Sequence, residues 1–166
     1  MRSRGARGER GATLIEIAFV LPMLFLLILS IVDFGIYFYV QHTVQFATRE
    51  GARLALVGGT LTDAGGQSMS RVASIVQRVR ERAAVAVDPS RVAISIYPVS
   101  ADGSDPAGWE GRLDAGGPGS LMRVRASVPY VFVTPALHLI MPDGGLPAHA
   151  QATYRNELFD PAPETP

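Results

Sequence analysis

Two carboxylates stand where a carboxylate is costly. Glu16 and Asp33 bracket a sixteen-residue run without charge, IAFVLPMLFLLILSIV, from Ile17 to Val32. An acid set in such a run needs a partner or a task, because hydrocarbon does not solvate it. Asp33 takes the simpler reading, a residue at headgroup level at the far end of the run. Glu16 has two readings, the same headgroup placement on the near side or an anion reserved for a cation. The other chemistry-bearing residues form no constellation. His42, His138 and His149 include no pair at the helical spacing of a metal site. Asp102, Asp105 and Asp114 lie in a glycine-rich loop but do not follow the ligand spacing of a calcium loop. The chain has no cysteine, which excludes disulfides, thiolate metal sites and thiol nucleophiles together. No G-x-S-x-G turn appears, and Gly116-Gly117-Pro118-Gly119 is a turn signal without the helix start that a phosphate site needs. These residues point away from an enzyme, with no catalytic residue, no metal and no cofactor expected.

A bilayer core about 30 Å thick needs roughly 20 helical residues, so the uncharged run extends past Asp33 to give a span over about residues 17–40. Tyr37 and Tyr39 suit its far interface. Residues 1–11 hold four arginines against Glu9, while the remaining chain holds eleven arginines against fourteen acids. Basic residues before the span and none between it and Arg49 predict a cytoplasmic N-terminus and an extracytoplasmic C-terminal domain. No broadly basic surface is present for nucleic acid. A cleaved secretory signal has a small-x-small site after its apolar centre; Ile31-Val32-Asp33-Phe34 offers none, so the span is expected to stay. Pro22 predicts a kink near Ala18.

Gly11-Ala12-Thr13-Leu14-Ile15-Glu16, followed by IAFVLP, resembles a type IV prepilin cleavage motif. The resemblance implies that a prepilin peptidase cuts between Gly11 and Ala12 and leaves the hydrophobic helix attached. Glu16 is then the fifth residue of the mature chain, and favours its second reading: it pairs with the new terminal ammonium of a neighbouring subunit and sets their stagger. In low dielectric such a pair is stronger than at a surface. Pro22, Asp33-Phe34-Gly35 and Ala47-x-Arg49-Glu50-Gly51-Ala52-Arg53 together resemble the TadE-like proteins of tight-adherence (Flp/Tad) pilus systems. Ala150-x-Ala152-Thr153-Tyr154-Arg155-Asn156-Glu157 is similar to them more loosely. Members of that family are regarded as minor pilins or pseudopilins. The resemblance therefore implies an inner-membrane protein that takes part in pilus assembly. Its implied partners are the prepilin peptidase, other pilins and pseudopilins, the assembly platform and membrane lipid. Ala12 stands where many type IV pilins have phenylalanine.

The helix is expected to run over 12–58, with Gly58-Gly59 as its stop. Arg49, Glu50, Gly51 and Arg53 read either as a solvated face with a close-packing glycine or as a docking surface for a sister pilin. Residues 69–87 read as an amphipathic helix with the stripe Val72, Ile75, Val76, Val79 and Ala83; its arginines read as a solvated face, with contact to anionic lipid or a partner as the alternative. Val92 to Tyr97 alternates as a half-buried strand, and 122–132 as another, where Pro129 suggests an edge or a bulge. Between them lies the loop 101–120 with Trp109. Pro135 to Gly145 reads as a turn-rich connection with an apolar piece, and 148–154 as a last strand. The fold class is α+β: a long N-terminal transmembrane helix, then a small pilin-like domain over 59–158 of one further helix and about three antiparallel strands. The proline-rich tail 159–166 is expected to be disordered. The competing reading is an unprocessed single-pass envelope anchor whose outer domain binds a ligand or partner.

Overall fold

The computed structural model describes residues 5–158, with backbone alone at residues 5–12 and Pro142. The tail 159–166 and the first residues of the basic leader lie outside the described residues. The elements in order are α1 (Gly5–Leu56), α2 (Arg71–Ala83), β1 (Ala93–Pro98), β2 (Leu121–Val131), α3 (Pro135–Ile140) and β3 (Gly145–Arg155), with short 3-10 turns at Pro89–Arg91 and Pro142–Gly144. The chain is α+β, and its sheet has the order β1-β2-β3.

α1 starts earlier than expected and continues through Pro22. Its end follows from glycine chemistry. Gly58 takes a φ of 68°, its N–H donates to Ala55, and the N–H of Gly59 donates to Leu54. This double bond pattern satisfies carbonyls that a helix end otherwise leaves open.

The chain divides into two compact units, residues 1–36 with 131–146, and residues 37–130 with 147–166. In the first unit, α1 is apolar and exposed all round from Leu14 to Val32, and it is long and apolar enough to cross a membrane. One departure from the sequence reading concerns Asp33. It is 4% exposed, and its Oδ2 accepts the N–H of Val133 and of Thr134, each at 2.8 Å. Phe34 packs on Phe132 beside it, ring centroids 5.1 Å apart. The connection expected over 135–145 contains α3, opened by Pro135 at a first-turn position where a missing N–H costs nothing.

In the second unit, α1 changes character. Val40, Val44, Ala47, Thr48, Ala52 and Ala55 are buried at helical spacing. Gly51 lies in the same stripe, and a methyl group there would overlap Cγ2 of Val79 on α2. Small residues thus let the two helices approach closely. α2 is shorter than the expected 69–87. Ser70 caps it by accepting from the Ala73 N–H at 3.2 Å, and the carbonyl of Ala83 takes both Ala86 and Val87, turning the chain before Asp88-Pro89. Ile75, Val79 and Ala83 are buried as the stripe required, with Val72 and Val76 half-buried beside them.

β1 and β2 pair antiparallel from Ala93 opposite Ser127 to Pro98 opposite Met122. Met122, Val124, Ala126 and Val128 alternate inward. Pro129 sits in the central strand, neither at an edge nor paired to β1, because β1 has ended two residues earlier. Its carbonyl instead accepts from Arg91 at 3.2 Å. β1 is covered on both faces rather than one: Ser95 and Tyr97 are buried along with Ile94 and Ile96. The cause is the loop 101–120. Ile96 donates to Arg112 at 2.7 Å and accepts from Asp114 at 2.9 Å, which closes the edge of β1 against a foreign strand.

Candidate functional site

The first candidate residues lie at the start of α1. Gly11 and Ala12 are helical in backbone, and their side chains fall outside the described residues. Glu16 is exposed on the helix surface, amid Leu14, Ile15, Ile17 and Phe19, all exposed as well. Its carboxylate has no intramolecular hydrogen bond or ion pair among the described residues. The helix surface around Glu16 is thus apolar and exposed, with one carboxylate that no described residue engages.

The second set, Arg49, Glu50, Gly51 and Arg53, is divided by the helix. Gly51 faces α2 and is used in packing. Arg53 points outward and meets half-buried Glu50 at 3.9 Å, a pair worth a few tenths of a kcal/mol at most. Arg49 is exposed and pairs with no described residue. With Gln41 and Gln45 it lines one side of a cleft of about 730 Å³, which Trp109, Arg125 and, from β3, Pro147, His149, Ala150 and Gln151 complete. β3 is an edge strand there. Gln41 covers part of that edge by a two-way amide bond to His149, donating to its carbonyl at 2.7 Å and accepting from its N–H at 3.0 Å.

Three positioning groups were not apparent from residue patterns. Arg71 belongs to no solvated face. Its guanidinium reaches the carbonyls of Gly116 at 2.7 Å and Ala55 at 3.1 Å, tying the end of α1 to the loop before β2. Burial lowers its pKa, against the influence of Tyr154. Asn156 donates to Ala115 and Gly117, and the N–H of Glu157 reaches Leu56 at 2.9 Å. Those two residues come from the C-terminal string that resembled a family pattern.

Asp105 is the third. It accepts from Tyr97 Oη at 3.0 Å, is ion-paired to Arg123, and meets Arg125 at 3.2 Å. Arg125 also lies over the Trp109 ring, 4.1 Å from its centroid, a favourable cation–π placement. Asp102 is engaged by Ser104, and Asp114 by Gly116 and Arg112. The three aspartates therefore organise the loop. Burial opposes ionisation of Asp105, but the Tyr97 hydrogen bond and the two arginines outweigh it and hold the carboxyl below its usual range. A group with a depressed folded pKa stabilises above its unfolded pKa, and the contribution disappears as pH falls through the folded value. The loop is therefore expected to stay closed down to the ordinary aspartate range near pH ~4 and to open below it. Trp109 is the only tryptophan, so its emission reports the transition directly. Asp105→Asn should red-shift that emission and increase its quenching by acrylamide already at neutral pH.

Residues 11–53 match the family model described as TadE-like protein. Over that segment the chain is TadE-like. The matched TadE-like segment runs from Gly11 through the apolar run and past Glu50 and Arg53, and stops before α2. The TadE-like signature is thus carried by one helix, and it includes the open Glu16, the buried Asp33 and the close-packing Gly51. No curated protein matches the chain, and no solved structure does. TadE-like character associates the chain with pilus components in general, and its apolar helix fits a single-pass membrane anchor.

Proposed function

We propose that this protein is a minor pilin, or pseudopilin, of a Flp/Tad-type adhesion pilus. It is cut between Gly11 and Ala12 by a prepilin peptidase on the cytoplasmic side. The observation that carries the reading is the exposed apolar surface of α1 from Leu14 to Val32, with the single open carboxylate of Glu16 near its start. After cleavage, the ammonium of Ala12 on one subunit meets Glu16 of a neighbour and sets their stagger. The protein is held in the inner membrane, N-terminus inside and the domain 59–158 outside, until it enters or primes a pilus. Arg49, Glu50 and Arg53 offer charge to sister pilins and the assembly platform, while Gly51 keeps that stretch of α1 pressed on α2.

Intact mass and N-terminal sequencing of the full chain from cells with an active prepilin peptidase test this reading. A chain beginning at Ala12 is the expected result, and Gly11→Leu is expected to abolish processing. A wild-type chain still carrying Arg2 to Gly11 would overturn it. The cleft beside Arg49 favours the second reading, an unprocessed anchor with a binding outer domain, and that reading predicts the uncut chain.

A further inference from the structure

We propose that the segment Val131–Met141 is a second membrane-contacting element, seated among phospholipid acyl chains beside the C-terminal end of the α1 span. The inference rests on the reading of α1 as membrane-spanning and concerns only the unit that contains both. Asp33 lies sixteen residues beyond Ile17, about 24 Å along a helix rising 1.5 Å per residue, against a hydrocarbon core of about 30 Å. Its carboxylate is therefore near the border of the hydrocarbon and still within it. There it is satisfied by two backbone N–H groups, those of Val133 and Thr134. Those hydrogen bonds hold the start of the segment, Val133 and Thr134, at the depth of Asp33.

What the segment exposes agrees with that depth. Val133 and Leu139 are each 86% exposed and Ile140 is 72% exposed. They lie in the same unit as Ile31, Val32 and Ile36, which are exposed too, and the Asp33 hydrogen bonds and the Phe34–Phe132 contact join the segment to that end of the span. Exposed apolar surface beside a span marks contact with lipid or another apolar partner. From Val131 to Met141 the segment has no arginine, aspartate or glutamate. Its backbone is internally bonded as lipid requires: His138 donates to Thr134, Met141 to Leu137, Gly144 to Met141 and Phe132 to Gly144. Asp143, exposed and at a φ of 50°, turns the chain back towards water. A neighbouring subunit is the other conceivable cover. Lipid is favoured because the segment is hydrogen-bonded to the span at Asp33 and exposes uncharged apolar side chains there.

The absence of native cysteine makes the test direct. The full-length protein carries one cysteine at a time, Leu139→Cys, Ile140→Cys, Leu27→Cys or Ala101→Cys, labelled with an environment-sensitive fluorophore. Each variant is reconstituted at low protein-to-lipid ratio into phosphatidylcholine–phosphatidylglycerol vesicles with and without doxyl-labelled acyl chains. Labels at 139, 140 and 27 are expected to be blue-shifted and quenched several-fold more than the label at 101. If the label at 27 is quenched while those at 139 and 140 behave like 101, the proposal falls and the membrane span stands. If the label at 27 is not quenched, the span reading fails and takes the proposal with it. Blue-shifted but unquenched labels at 139 and 140 would mean cover by protein, and would overturn the lipid assignment.

Discussion

Gly51→Val is expected to lower the stability of the unit that contains α2 by about 3 kcal/mol. A branched side chain at this position would occupy the space held by Cγ2 of Val79 and approach the carbonyl of Ile75. Overpacking a tight interface typically costs about 1–3 kcal/mol, and a β-branched residue adds its own helix penalty. Gly51→Ala is the finer probe, because two effects oppose each other. Alanine favours a helix over glycine by about 1 kcal/mol, yet its methyl overlaps Val79, so the net is expected to be destabilising. Gly35 is the control. It is a glycine of the same helix with open space around it, and Gly35→Ala should cause no loss. Thermal unfolding of the detergent-solubilised chain, followed by near-UV circular dichroism, separates the two sites. Equal behaviour at 35 and 51 would mean that α2 does not press on α1 in solution.

Asp33→Ala should release the segment that begins at Val133. The carboxylate serves two backbone donors at 2.8 Å each, and an unsatisfied buried donor costs about 1–3 kcal/mol. The combined loss is about 3 kcal/mol, which corresponds to roughly a hundredfold fall in protection. Hydrogen exchange at the Val133 and Thr134 amides reads it directly. Asp33→Asn keeps one acceptor oxygen and should fall between the alanine variant and wild type. Unchanged exchange in Asp33→Ala would show that the Phe34–Phe132 contact alone holds the segment. The same variant should leave Trp109 emission unaltered, because Asp33 and the Asp105 cluster belong to different units.

The sequence by itself determined the elements that depend on local chemistry. Sixteen uncharged residues, extended by the apolar residues that follow Asp33, make a helix long enough for a bilayer, and Gly58-Gly59 ends α1 because only glycine takes the left-handed turn of Gly58 without strain. The stripe of Ile75, Val79 and Ala83 already specified which face of α2 would be buried. The family resemblance over α1 was legible for a related reason: Gly11, Glu16, Pro22 and Arg49 to Arg53 lie on one continuous helix, where order along the chain is order in space.

Only the tertiary structure decided the roles that depend on distant partners. Asp33 looked like a headgroup-level acid until Val133 and Thr134, a hundred residues later, came to its carboxylate. Arg71 looked solvated until the carbonyls of Ala55 and Gly116 met it. Asp105 looked like one of three loop aspartates until two arginines of β2 and Tyr97 of β1 converged on it. Periodicity reports which face of an element avoids water, since that preference is a property of each side chain. It carries no information about which polar group will find which, because those pairs form only when chain segments far apart in sequence are brought within hydrogen-bond distance.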